Sequence, residues 1–451
     1  MVVTKQIVGT LPQASAANAS VEESAHAHRQ SPRKAALASF LGSTLEYYDY
    51  VLYGTASALV FSRLFFDSNN PTMATIGALM TFGVAYIARP LGGLVMAHIG
   101  DRIGRKTALM ITLMIMGISS IAIGLLPTYE QIGITATILL LVCRIAQGFS
   151  AGAESAGAST MTMEHSPEGK RGFFTSSVML GCSAGNVLAA LVMVPVMMMP
   201  EDAMMSWGWR IPFLLSALVL AVAYFVRTHL EETPVFEENE AETAERKAPA
   251  LEVLKKQPLD VVRVFFITFF SVVQSTFMVY ALSYATEHTN IERSTMLVVN
   301  AVAMGISMIT IPLAAMLGDR IGRKPTLLIG AVGCIITTYF YFDALTNENI
   351  VVVFALCIIN QGFFYSCWNG VWCVFFPEMF AQEYRYTGMA MGNQLGLVLS
   401  GFAPAISAAI YVTFSWQGVV YFVAGCILIS CVFIISTRET AFTKLEDLGR
   451  K

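Results

Sequence analysis

The sequence predicts an all-α membrane protein: twelve transmembrane helices in two pseudo-symmetric six-helix bundles. Three observations predict this fold class. The 451-residue chain is 55% hydrophobic and only 13% charged, about half the charged share of an ordinary soluble domain. Its apolar residues gather into twelve stretches, each near the roughly 20 residues that a helix needs to cross a bilayer. A heptapeptide also occurs twice, once in each half of the chain.

In the first half the predicted spans lie near 36–62, 73–98, 107–126, 132–160, 172–198 and 209–227. In the second they lie near 261–286, 295–317, 326–344, 350–377, 386–412 and 416–436. Residues 1–34 are polar and lack the apolar core of a signal peptide, so a disordered cytoplasmic tail is expected there. An N-terminal bundle over 35–228 and a C-terminal bundle over 261–437 follow. The segment 229–260 joins them; it carries Glu231, Glu232, Glu237, Glu238, Glu240, Glu242 and Glu245 and reads as a solvated cytoplasmic linker. Residues 438–451 read as a second cytoplasmic tail.

The repeat sets the relation between the halves. Gly100-Asp101-Arg102-Ile103-Gly104-Arg105-Lys106 recurs as Gly318-Asp319-Arg320-Ile321-Gly322-Arg323-Lys324, at an offset of 218. Gln147-Gly148 recurs as Gln361-Gly362, and Glu164…Arg171 as Glu378…Arg385, both at an offset of 214. Two echoes at nearly one offset mark a duplicated unit. Six helices is an even number, so both copies insert in the same sense. The heptapeptide is not a phosphate loop, because Arg105 stands where Lys would follow the second Gly. It reads as a tight turn in which Asp101 or Asp319 accepts hydrogen bonds from arginines or from a helix N-terminus. Such a latch would hold one side of the protein shut.

Basic residues orient the chain. With an even number of spans, 23 of the 28 lysines and arginines fall on the side of the termini and linker. Arg63, Arg210 and Arg293 fall on the other side, while Arg89 and Arg144 sit inside apolar spans. The termini are therefore expected in the cytoplasm. The formal net charge of −3 suggests no nucleic-acid partner. The eight cysteines lie in apolar runs with no zinc or disulfide spacing and read as small core residues. No nucleophile triad, metal-ligand cluster or nucleotide loop is present in the pattern, so neither an enzyme nor a cofactor or metal is expected.

Several stretches carry a family resemblance. They are Glu46-Tyr47-Tyr48-Asp49-Tyr50, Ala88-Arg89-Pro90-Leu91-Gly92-Gly93, Arg144-Ile145-Ala146-Gln147-Gly148, Trp207-Gly208-Trp209-Arg210 and Pro377-Glu378-Met379-Phe380…Arg385-Tyr386-Thr387-Gly388, together with the repeated turn. On these residues the chain resembles the major facilitator superfamily, and within it the metabolite–proton symporter family of shikimate, α-ketoglutarate, citrate and proline/betaine permeases. Tyr386-Thr387-Gly388 leans toward the shikimate branch. Two departures bear on substrate: Ser155 stands where the family has Trp at the end of helix 4, and Tyr47 where helix 1 has Trp. The resemblance implies a proton-coupled importer of a small organic acid, working by alternating access in the plasma (inner) membrane, with the lipid bilayer as its surroundings. It also implies a central cavity lined by helices 1, 4, 7 and 10. A monomer is expected. The alternatives are a carrier of a zwitterionic osmolyte and a solute receptor that does not transport.

A charge near the bilayer centre costs about 3 kcal/mol or more and marks a functional site. Glu46, Asp49 and Arg144 fall near the midplane, and Glu46, Asp49, Tyr50 and Tyr53 share one helix face. Arg144 is expected to bind a substrate carboxylate, because a guanidinium matches it bidentately; Glu46 or Asp49 would carry the coupling proton. An Arg144 ion pair with Asp49 or Glu46 that only packs the bundle is the bland alternative. Tyr50, Tyr53, Gln147, Gln274, Tyr280, Gln361, Tyr365 and Trp368 complete the expected substrate site. Gating is expected from Asp101, Arg102, Arg105, Asp319, Arg320, Arg323, Glu378 and Arg385, and from Arg89 and Glu154, with Arg89 placed to pair with Glu154 or to cap the cytoplasmic exit.

Overall fold

A computed structural model describes residues 32–66, 71–229 and 249–449. The expected tail before Pro32 and the acidic run over 230–248 lie outside the described residues. Among the described residues every regular element is helical.

In the first half, α1 (Pro32–Ala56) opens on a proline, whose missing N–H is no loss in a first turn. It runs on through a π-helical turn at Ser57–Phe61 and a last turn at Ser62–Leu64. Then come α2 (Pro71–Ile103), α3 (Arg105–Leu125), α4 (Ile134–Glu164), α5 (Ser177–Met197) and α6 (Arg210–Thr228). In the second half α7 is assembled from Pro258–Ile267, a 3-10 turn at Thr268–Ser271, Val272–Ser275, a π turn at Thr276–Tyr280 and Ala281–His288. α8 (Arg293–Ile321) and α9 (Arg323–Thr346) follow. α10 joins Ile350–Cys357 to Tyr365–Glu378 through a π turn at Ile358–Phe364. The last stretch, Arg385–Ser436, breaks at Ser415 (φ 55°, ψ −167°), giving α11 over 385–414 and α12 over 416–436. The spans expected from hydropathy match in order and number. Their ends extend further, because polar residues such as Asp101 and Glu164 continue the helices beyond the apolar run.

Nine helices of the described residues are long and apolar enough to cross a membrane by length and composition alone, Gln382–Ser436 being counted once. α1 and α2 fall outside that count yet pack into the same bundle, α1 against α5 and α2 against α4. The lipid-facing surface is apolar: Ile87, Leu191, Leu218, Val332 and Val432 are all more than half exposed.

The heptapeptide turns are built alike. Gly104 (φ 105°) and Gly322 (φ 108°) sit between α2 and α3 and between α8 and α9. This backbone region strains any residue with a Cβ. The α2–α4 contact needs glycine for a different reason. A Cβ on Gly92 would stand 1.7 Å from the Phe149 carbonyl oxygen, and one on Gly152 would stand 1.9 Å from that of Arg89. Small residues let these backbones touch. The halves meet where α2 packs on α11 and α5 packs on α8. The two interfaces are related by the repeat.

Candidate functional site

One chamber and one latch hold most of the buried charge, and a second, uncharged chamber adjoins the first. The first chamber, a narrow space of about 20 Å³, is lined by Glu46, Asp49 and Tyr50 of α1, Ala85, Tyr86 and Arg89 of α2, Met116 of α3, and Arg144, Gln147, Gly148 and Ala151 of α4. All of its walls belong to the first half. This corrects the expectation that Glu46, Asp49 and Arg144 face a space shared with α7 and α10. α2 and α3 close over that face of α1.

Each charge in the chamber has its own setting. Arg89 Nη2 donates to Glu46 Oε1 in a direct ion pair, and its guanidinium lies 5.5 Å from the Tyr86 ring centre. The expected Arg89–Glu154 pair does not form: Glu154 sits against Arg227 of α6 and accepts from Thr112 Oγ1 at 3.2 Å. Asp49 is fully buried and accepts from Ser120 Oγ and, at 2.8 Å, from Ser216 Oγ. Arg144 lies 4.1 Å from the Tyr53 ring centre and donates to Gln147 Oε1 at 3.1 Å. Gln147 Nε2 in turn donates to Ser120 Oγ at 2.7 Å. Tyr53 donates to Thr81, and the hydroxyls of Tyr50 and Tyr86 lie 2.6 Å apart. The Tyr53 ring engages the face of the guanidinium and Gln147 its edge.

The second chamber, a narrow space of about 10 Å³, lies between the halves. Its lining runs from Tyr47 of α1 and Cys182, Ser183 and Asn186 of α5 to Gln274 of α7, Ser307 of α8, and Gln361, Tyr365 and Asn369 of α10. It is polar, and no Asp, Glu, Lys or Arg lines it. The chambers adjoin at α1, where consecutive residues Glu46 and Tyr47 line one each. Gln361 lies within the π turn of α10, and Gln274 just before that of α7. Irregular helix at a cavity wall is a common feature of transporter sites. Tyr365 donates to Gln274 Oε1 at 3.5 Å. Trp368 and Tyr280 line neither chamber. Trp368 packs on Phe270 and Trp372, and Tyr280 on Tyr284 and Phe342, so each faces the core of its own half.

The latch joins the halves on the face that carries the repeated turns. Glu164 takes Arg105 Nη2 and, from the other half, Arg385 Nη1, each at 3.1 Å. Glu378 takes Arg323 Nε at 3.0 Å and, from the other half, Arg171 Nη1 at 3.2 Å. Asp101 accepts from the backbone N–H and hydroxyl of Thr387 at 3.0 and 2.6 Å. Asp319 accepts from the N–H groups of Gly172 and Phe173, both at 2.9 Å. Every residue of one cluster thus has its repeat counterpart in the other, and each aspartate caps a helix of the opposite half. Arg102 and Arg320 are exposed and stand outside this buried network, since the turn sends them outward. Glu164 and Arg171 belong to it although their only sequence signal was the second echo. Residues 438–449 also lie across the latch. Glu439 caps α9 through the N–H groups of Arg323 and Lys324 at 2.8 and 3.0 Å, Thr440 donates to Glu378, and Arg171 donates to the Thr443 carbonyl. Ser120 and Ser216 carried no signal at all.

Twelve helices in two duplicated halves, joined by ion pairs on one face and holding charges inside apolar spans, are the architecture of a membrane transporter. Comparison with known proteins agrees. The "Sugar (and other) transporter" family model matches residues 34–263, and the "Major Facilitator Superfamily" model matches 264–449. The chain is 37% identical over 409 residues to the shikimate transporter of Escherichia coli (strain K12), covering 88% of this chain and 92% of that protein. It is 32% identical over 435 residues to the proline/betaine transporter of the same strain, covering 92% and 85%. Its fold superimposes on the proton:xylose symporter XylE bound to 6-bromo-6-deoxy-D-glucose with a TM-score of 0.75, at 17% identity, covering 92% of this chain and 98% of that one. The chain belongs to the major facilitator superfamily. That superfamily comprises membrane transporters, not enzymes.

Proposed function

We propose that the chain is a proton-coupled symporter that imports a small organic acid by alternating access. The observation that carries this reading is the first chamber: two carboxylates and two guanidiniums gather at mid-helix around one narrow space. Arg144 is the anion site, supported by its place in the chamber wall, where its buried guanidinium stacks on Tyr53 beside the two carboxylates. Asp49 is favoured as the proton carrier. Glu46 already neutralises Arg89 in a direct pair, whereas Asp49 is held by two hydroxyls. The neutral polar wall of the second chamber would take the uncharged part of the substrate.

The units over 35–228 and 261–437 rock as a monomer, and the latch closes the cytoplasmic side. The placement of 23 of 28 basic residues on the latch side supports this orientation. A buried latch corresponds to the state closed toward the cytoplasm. The second reading, a zwitterion such as proline or betaine, draws on the relatives of that name and on the presence of both charge signs in the chamber.

Uptake into proteoliposomes under an imposed pH gradient, across a panel of labelled shikimate, dicarboxylates, proline and glycine betaine, tests the reading. Accumulation of a monocarboxylate that collapses with the gradient supports it. Accumulation that ignores the gradient refutes proton symport, and accumulation of betaine alone moves the substrate to the second reading.

A further inference from the structure

We propose that Gln147 and Ser120 are positioning residues that carry the protonation state of Asp49 to Arg144. The inference rests on the reading above, in which Asp49 holds the proton and Arg144 the substrate anion.

The geometry is a head-to-tail chain. Arg144 Nη1 donates to Gln147 Oε1 at 3.1 Å, Gln147 Nε2 donates to Ser120 Oγ at 2.7 Å, and Ser120 Oγ donates to Asp49 Oδ2. Every N–H and O–H points from the cation toward the carboxylate. Bonds aligned this way polarise one another, and the effect is strongest where water is excluded. All four residues are at most 3% exposed.

Ser120 is the point where the chain reverses. Its hydroxyl has one proton and two acceptors within reach, Asp49 Oδ2 and the Met116 carbonyl at 3.0 Å. While Asp49 is ionised, its charge draws the Ser120 proton. Once Asp49 binds a proton on Oδ2, it donates to Ser120 Oγ, and the Ser120 proton turns to the Met116 carbonyl. The last link then runs backward and the aligned chain ends at Ser120. The positive charge of Arg144 is no longer offset through the chain, and a substrate carboxylate binds there more tightly. By reciprocity, bound substrate holds the proton on Asp49.

The other groups around the chamber are accounted for. Glu46, Tyr50 and Tyr53 share α1 with Asp49, and Glu46 is tied to Arg89 of α2. Tyr86 of α2 faces Tyr50. From α3 and α6 only the hydroxyls of Ser120 and Ser216 reach Asp49, and from α4 Arg144 and Gln147 enter the chamber. The repeat offers an internal comparison. At the offsets of 218 and 214, Ser120, Gln147 and Arg144 correspond to Thr338, Gln361 and Ile358. The second half keeps a hydroxyl and an amide at these positions and lacks the cation, and there Gln361 donates to Asn360, which donates to Thr338, so the direct chain ending on a cation is special to the first half.

The test uses full-length protein in proteoliposomes with radiolabelled shikimate as the probe, comparing wild type with Ser120→Ala, Gln147→Leu, the double variant, Ser120→Thr and Asp49→Asn. We expect the apparent KM of wild type to rise on the order of tenfold between about pH 6 and about pH 8, a typical coupling between two sites. Ser120→Ala, Gln147→Leu and the double variant should all bring that ratio to within about twofold, without additivity, because one chain is cut in each. Ser120→Thr, which keeps the hydroxyl, should restore it. A purely structural role would lower the yield and Vmax and leave the ratio intact. A substrate-free reading accompanies the kinetics: the infrared carboxyl band assigned by its loss in Asp49→Asn should titrate at a different pH in Gln147→Leu, whose side chain does not touch Asp49. If Asp49→Asn abolishes coupled uptake while both relay variants keep the wild-type KM ratio and band titration, the relay is wrong and the symport reading stands. If Asp49→Asn accumulates the probe as wild type does, the symport reading itself has failed.

Discussion

Glu164 and Arg385 come from different halves of the chain and meet at 3.1 Å with no measurable exposure of either side chain. Their repeat counterparts, Glu378 and Arg171, meet at 3.2 Å on the other side of the pseudo-twofold axis. A charge pair so buried contributes little net stability, but losing one member leaves the other stranded. This asymmetry is well suited to a switch. On the proposed gating role, the closed face is held while both halves present these charges together, and opening hydrates them.

Glu164→Gln strands Arg105 and Arg385 and should weaken the closed face by about 3–5 kcal/mol. The reporter is hydrogen exchange at the Thr387 amide, which Asp101 now holds. Its exchange should speed up in the variant, while amides in the outer halves of the helices stay protected.

The two aspartate caps should behave as a matched pair. Asp101→Asn and Asp319→Asn each weaken two bonds to the opposite half. Each should cost about 1–3 kcal/mol, as expected for hydrogen bonds to a charged group, and shift the population toward the form open on the latch side. Uptake rates and thermal melting of the two variants should agree within about twofold and a few degrees; a large difference between them would deny the symmetry of the latch.

Backbone contact between α2 and α4 makes a sharp packing prediction. Gly92→Ala would drive a methyl into the Phe149 carbonyl, whereas a Cβ on Gly305 meets nothing within 4 Å. Gly92→Ala should lose several-fold in folded yield on size-exclusion chromatography, with overpacking of about 1–3 kcal/mol or more, and Gly305→Ala should express like wild type.

At the anion site, Arg144→Lys keeps the charge but loses the planar fork, and should raise the apparent KM for a transported acid about tenfold. Trp368→Phe, buried in the core of its half away from both chambers, should leave KM within about twofold.

Much of this architecture is legible in the sequence, for identifiable reasons. Hydropathy marks the spans because a bilayer tolerates little else. The Gly-Asp-Arg turn and the Glu…Arg echo mark the latch because duplication preserved both copies. What escaped were relations set by helix rotation. Arg89 was expected beside Glu154 and is instead turned to Glu46, while Glu154 is taken by Arg227, a residue that reads as a simple cytoplasmic flank. Trp368 and Tyr280 lie on the same helices as the lining residues Gln274, Gln361 and Tyr365 yet face the core, and spacing does not fix which side faces the chamber in spans that π turns interrupt. Ser120 and Ser216 were invisible, because a serine in an apolar helix ordinarily bonds its own backbone and only the fold brings these two to Asp49.

The central claim, that Asp49 carries the coupling proton, is tested most directly by Asp49→Asn in proteoliposomes with radiolabelled shikimate, measuring exchange and accumulation in parallel. Asparagine mimics the protonated carboxyl, so the account predicts exchange across equal concentrations at a rate near wild type and no accumulation under an imposed pH gradient. Accumulation driven by the gradient to the wild-type level in Asp49→Asn would contradict it.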